Sequence, residues 1–164
     1  MATFKAPGLE IYVRQLQRLS KETDVIVGEA VYIMAKVVAD EVRKNLAKMP
    51  SVPDTHGMAA YRAKTKIPIT NAQKWDLENS FGIAGLKNEN GYLNVKLGFD
   101  GYNRIKTKAY PNGQPNAMIA RAIESGTSNR DKYPFIRPAV QATRKQAIAA
   151  AAAKFDEDIH DIVK

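Results

Sequence analysis

His160 and Asp156 stand four residues apart in "FDEDIHDIV". On a helix that spacing puts both on one face, where an imidazole and a carboxylate can share a metal ion. The same residues also describe an acidic, solvated helix end, and the match to any metal motif is loose. No metal is assigned. His56 has no nucleophile signature near it. Asp100, Asp131 and the C-terminal acids are scattered over the chain, whereas a metal-dependent nuclease gathers its carboxylates in one cleft. There is no G-x-S-x-G, H-E-x-x-H, G-x-G-x-x-G or Walker pattern. There is no cysteine, which removes thiolate zinc sites, cysteine nucleophiles and disulfide scaffolds. The expectation is a protein that is not an enzyme and holds no cofactor.

Basic residues offer a different chemistry. The 164-residue chain carries 25 Lys and Arg against 17 Asp and Glu, a net charge of +8 that favours polyanions or acidic protein surfaces. The charge is uneven. Lys48, Arg62, Lys64, Lys66 and Lys74 face a single acid, Asp54, over that span, while Asp156, Glu157, Asp158 and Asp161 crowd the C-terminus. Such opposition suits contacts between unlike faces, including copies of one chain, and equally suits plain solubility. Tyr61, Arg62, Lys64 and Lys66 add an aromatic to the basic run. They are candidate contacts for assembly or for nucleic acid phosphates.

The elements that must position these groups follow from periodicity. Leu9–Leu19 reads as a short amphipathic helix, and Ser20 as the cap of the next one, with Glu22 and Asp24 at its positive end. That helix runs to Leu46 on the stripe Val27, Val31, Met34, Val38, Val42, Leu46, joined by Ile26, Ala30, Ile33 and Val37. A face this broad can pack on the protein's own core and on a neighbouring subunit. Residues 49–69, with three prolines and no clear period, read as a long basic loop excursion. Thr70 caps a short helix anchored by Trp75. "FGIAGLK" and "GYLNVKLGF" make a hairpin around Asn90-Gly91, since both residues tolerate positive φ. "DGYNRIKTKAY" reads as a third, more polar strand. Asn116 caps a helix that stops at Gly126 in left-handed geometry. A last helix runs from Pro138 to about Ile162 on Val140, Thr143, Ala147, Ala151, Phe155 and Ile159, through an alanine run that favours helix and close approach. The sum is one α+β domain over residues 1–164. A small antiparallel sheet packs against long N-terminal and C-terminal helices. The N-terminus has no long apolar run of a secretory leader, and no stretch is apolar enough to span a membrane, so a cytoplasmic setting is expected.

One block goes further. "IESGTSNRDKYPFIRPAVQ" joins the last two helices. Glu124, Gly126, Thr127 and Ser128 are followed by Pro134, Phe135, Ile136, Arg137 and Pro138. Pro134 and Pro138 disfavour helix in the residues before them. Thr127 and Ser128 offer hydroxyls to free backbone groups. Phe135 and Ile136 then sit extended as core plugs, and Arg137 can meet Glu124. This block resembles the neck or tail-completion family of tailed bacteriophages and prophages, the gene-product-ten-like minor tail components. The likeness is specific over roughly the last third of the chain, and the 49–69 excursion departs from it. The resemblance implies a structural virion protein between the head connector and the tail tube, working as an oligomeric ring. Its implied partners are copies of itself, head-connector proteins and tail-tube or tail-terminator proteins, with non-specific contact to DNA in the lumen. It implies synthesis in the host cytoplasm and residence in the virion. A basic nucleic-acid-binding module is the alternative.

Overall fold

The computed structural model describes residues 9–164. Residues 1–8, counted above in the single domain and in the reading of the N-terminus, lie outside the described residues. The fold is α+β, with long helices at both ends and four short strands between them.

Helix α1 (Leu9–Lys48) is one element of 40 residues, about 60 Å at a rise of about 1.5 Å per residue. The expected break at Ser20 does not occur. Ser20 is exposed within the helix, and Thr23 Oγ1 donates back to the Leu19 carbonyl at 2.7 Å. A hydroxyl can serve a helix in that way as well as cap one. Arg18 and Glu22 pair one turn apart at 3.0 Å across the same point. Pro50 ends the helix, because a proline disfavours α geometry in the residue before it.

The 49–69 excursion is largely structured. Its centre is α2 (Asp54–Arg62). The two ends are clamped where the Val52 amide donates to Ile69 O and the Asn71 amide to Val52 O, both at 2.9 Å. Gly57 is buried against Thr70, where a Cβ would stand 2.6 Å from the Thr70 methyl. Helix α3 (Asn71–Ser80) starts as expected, with a full capping box between Thr70 and Gln73. Its anchor is the fully buried Leu77, not Trp75, which is 53% exposed.

The expected hairpin forms as two ladders. Strand β1 (Phe81–Ile83) pairs with β4 (Leu97–Phe99), and β2 (Lys87–Glu89) with β3 (Tyr92–Asn94), both antiparallel. Asn90 and Gly91 have φ of 56° and 85°, as a tight hairpin turn requires. The third strand is absent. Residues 101–115 form a loop held by one bridge between Tyr102 and Pro115 and by Asp76, whose carboxylate accepts the Arg104 amide at 3.0 Å and its Nε at 3.1 Å. A run with few β-branched residues and a positive-φ Gly101 gives no ladder to extend. Helix α4 (Asn116–Ser125) is preceded by Pro115, and Asn116 does not cap it. The Asn116 amide group donates instead to Asp100 O at 2.8 Å, tying the loop down.

Helix α5 (Ile136–Val163) lies antiparallel along α1. Gln15 Nε2 reaches Val163 O at 2.7 Å, Lys154 meets Glu29 at 3.0 Å, and Asn45 Nδ2 donates to Phe135 O at 3.0 Å. Of the expected α5 stripe, Thr143 and Ala147 are buried and Ala151 is half-buried. Val140 and Phe155 are exposed, and Ala139 and Ile162 take inward positions. The two helices approach through small residues, as close packing needs.

One core forms where α1, α3, α4, the β1–β4 ladder and the start of α5 meet. It holds Ala39, Val42, Leu46, Met49, Leu77, Phe81, Ile119, Ile123, Phe135 and Ala139. Phe99 bridges it, 5.0 Å from the Phe81 ring and 6.1 Å edge-on from Phe135. Phe135 is 1% exposed. Phe135→Ala should therefore cost about 3–5 kcal/mol. Chemical denaturation checks this, and a loss below about 1 kcal/mol would mean the ring is no core anchor.

Candidate functional site

The joint between α4 and α5 combines the residues of the resemblance. Gly126 ends α4 with φ 74° and ψ 166°, a positive φ with an extended ψ rather than left-handed helical geometry. A side chain there would also crowd Lys132, 3.1 Å from its Cβ. The chain then turns tightly. Thr127 N donates to Arg130 O at 2.9 Å and Arg130 N returns to Thr127 O at 3.2 Å. Backbone groups make this turn, so the expected hydroxyl bonds of Thr127 and Ser128 are not what closes it. The Tyr133 amide then donates to Ile123 O at 2.8 Å. That returns the chain past the end of α4 to Pro134.

Glu124 is the centre of the joint. Its Oε2 accepts the amides of Phe135 at 2.7 Å and Ile136 at 2.9 Å, and its Oε1 accepts that of Arg137 at 2.9 Å. The start of any helix leaves N–H groups without intrahelical partners. Pro138 has no N–H, so one carboxylate satisfies every N–H from residue 135 to 138. The negative charge also sits at the positive end of the α5 dipole. Arg137 Nε stands 4.0 Å away and supports the charge from the solvent side. Burial by itself raises the Glu124 pKa. The amides of Ile136, Phe135 and Arg137 and the charge of Arg137 together outweigh it, and the carboxyl titrates below its ordinary range.

This geometry moves the helix start. Pro138 is the third residue of α5, not the first, and Ile136 and Arg137 are helical. A proline in the first turn loses no bond. Three hydrogen bonds from Glu124 hold the helix two residues ahead of where the proline alone would open it. Phe135 precedes the helix with φ −133° and ψ −22°, so it is the plug but Ile136 is not held extended.

The basic arm docks on the same joint. Lys66 Nζ reaches Thr127 O at 3.4 Å and Asp131 at 3.6 Å, and the Ile67 amide donates to Asn129 O at 2.7 Å. Two candidate sets about sixty residues apart in sequence thus meet. Tyr61, Arg62 and Lys64 point elsewhere. All three are exposed and have no side-chain hydrogen bond or ion pair among the described residues. Lys64 itself has φ 54°, closing α2. Arg130 turns inward and donates to Gln73 Oε1 at 3.1 Å, and burial pulls its pKa below the usual value.

Sequence reasoning passed over one further arrangement. Arg104 stacks 4.0 Å above the Trp75 ring while bonding Asp76. The cation–π contact keeps an exposed tryptophan in place. Its only signal in the sequence is the adjacent Trp75-Asp76. Asp156 and His160 lie on the exposed part of α5, and among the described residues no three His, Asp or Glu side chains gather as a metal site. Among the described residues, no helix is long and apolar enough to cross a membrane. No family model, curated protein or solved structure matches the chain.

Glu124 gives a prediction with a sign. A depressed folded-state pKa contributes stability above the ordinary carboxylate pKa, and that contribution is lost as pH falls through the folded value. Glu124→Gln should cost about 1–3 kcal/mol at neutral pH, because the amide accepts fewer charge-assisted bonds. The gap to the natural chain should begin to narrow as pH falls below the ordinary glutamate value of about 4.3. Denaturant midpoints for both chains from pH 3 to pH 7 check this, and a gap independent of pH would remove the charge from the explanation.

Proposed function

We propose that the chain is a structural subunit of the neck of a tailed bacteriophage or prophage, where it helps join head to tail or complete the tail as a ring of identical copies. Assembly takes place in the host cytoplasm and the product resides in the virion. The observation behind this reading is the Glu124–Pro138 block. Its residues resemble a neck-family block, and their bonds are spent on fixing how two long helices meet. Glu124 caps, Gly126 turns, Phe135 plugs and Arg137 pairs with Glu124. Such a joint suits a part whose work is to hold surfaces in fixed positions for neighbours. The implied neighbours are further copies, head-connector proteins and tail-tube or tail-terminator proteins.

Particles made without the chain test the reading. Electron microscopy should show filled heads and tails that fail to join, restored when the chain is supplied in trans. Normal joined particles in its absence would sink the assignment.

A second reading keeps a foothold in Tyr61, Arg62 and Lys64, exposed and without acid partners among the described residues. They suit phosphate contact, either with DNA passing through a lumen or in a separate nucleic-acid-binding role. Duplex binding should weaken steeply with salt, and removing both Arg62 and Lys64 should flatten the log–log slope by about two. A slope unchanged by the double substitution would show that these residues touch no phosphate.

A further inference from the structure

Half of the chain's excess positive charge lies in one stretch. From Gly101 to Ile123 there are four basic residues, Arg104, Lys106, Lys108 and Arg121, and no acid, a local charge of +4 within a total of +8. Arg104 is committed to Asp76. Lys106, Lys108 and Arg121 are exposed and have no ion-pair partner among the described residues.

The stretch is firmly tied. Asn103 is buried, and its amide donates to Gln114 O at 2.9 Å. Its side-chain oxygen accepts the Gln114 amide, also at 2.9 Å. Gly113 passes so close that a Cβ there would overlap the Asn103 carbonyl. Farther along, Thr107 and Tyr110 exchange backbone bonds at 3.1 Å, which closes a tight turn with Lys108 and Ala109 at its tip. The Tyr110 hydroxyl stands 3.6 Å from Met118 Sδ, so this arm returns to α4 one turn from Arg121. The lysines are thus carried on a hairpin-like loop whose base is fixed.

Aromatic surface stands beside the charge. The Arg104 guanidinium lies 4.0 Å above the ring of Trp75, which is 53% exposed, and Tyr102 is 64% exposed. An acidic protein surface would answer the lysines and leave both rings unused. The backbone of a duplex would do the same, because its bases are stacked inside. A single strand offers phosphates and unstacked bases together, and stacking on aromatics beside a cationic track suits it.

We propose that the Gly101–Pro115 loop and Trp75 form a binding surface for single-stranded nucleic acid, with Lys106 and Lys108 on phosphates and Trp75 and Tyr102 against bases. The surface draws on a different stretch of chain from Tyr61, Arg62 and Lys64, and it does not depend on the ring reading.

Trp75 is the one tryptophan in the sequence, so its fluorescence reports on this surface directly. The full chain is titrated at low salt with a short mixed-sequence DNA strand, with the matching duplex, and with polyglutamate. The single strand should quench Trp75 and bind several-fold tighter than the duplex, and polyglutamate should leave the emission unchanged. Replacing both lysines, Lys106→Ala with Lys108→Ala, should lower the log–log salt slope by about 1.4, at about 0.7 per phosphate contact. Tyr102→Ala should weaken binding by about fivefold or more with the slope unchanged. No quenching by the single strand, equal or tighter binding of the duplex, or a response to polyglutamate as strong as to DNA overturns the proposal. A slope lowered by Arg62→Ala with Lys64→Ala but not by the lysine pair also overturns it, and leaves the second reading above standing.

Discussion

The carboxylate of Glu124 bound to the first turn of α5 is the constraint on which the other arrangements depend. A buried acid without partners is costly, and so is a buried helix start with open N–H groups. Brought together, each meets the other's need. The bond set is also directional, since two oxygens take three consecutive amides. That fixes the residue at which α5 begins and the rotation of its first turn. Phe135 then has one place to go, the cavity edged by Phe99 and closed by Leu46, Met49 and Ile123. A joint made of glycine and prolines alone would allow the helix to start at Pro138 with a different face inward.

From that fixed start, α5 runs along α1 for its whole length, with Lys154 paired to Glu29 on the way. Its Phe135 carbonyl takes the Asn45 side chain at one end, and its Val163 carbonyl takes Gln15 at the other. Between them Ala139, Thr143 and Ala147 are buried on α5, and Ala30, Ala35 and Ala39 are buried on α1. Small residues at the inward positions of α5 let a partner helix come close. Val140, Ile148 and Phe155 are exposed.

Much of this was legible where a single local rule decides. Thr70 with Gln73, Asn90 with Gly91 and the stop at Gly126 each depend on backbone chemistry within four residues, and each holds in the structure. Reading failed where a distant partner changes the outcome. Ser20 is the local exception, a residue that looks like a cap yet stands inside the continuous α1. Trp75 looks like an anchor but is held on the surface by Arg104, twenty-nine residues away. Pro138 looks like a helix start until Glu124 supplies bonds to the residues before it. Helix α2 was hidden because prolines flank it, although Pro53-Asp54 is a reasonable helix opening. For the candidate site, the sequence pairs Glu124 with Arg137, and their separation is 4.0 Å. It did not show that the shorter bonds run to the backbone, because no side-chain pattern marks an amide as a partner.

The joint also reaches beyond the helices. The turn at 127–131 takes Lys66 and Ile67 from the basic arm, so Tyr61, Arg62 and Lys64 are positioned by the same loop that Glu124 anchors. The helix joint and the arm are thus set relative to one another by bonds within a single chain. A surface arranged before its partner arrives loses less conformational freedom on binding, and more of the contact energy remains for affinity. A protein that works by holding its neighbours in register gains from that rigidity. A buried charge such as Glu124 is then well placed at a joint, where it can hold several surfaces at once, rather than in a cleft.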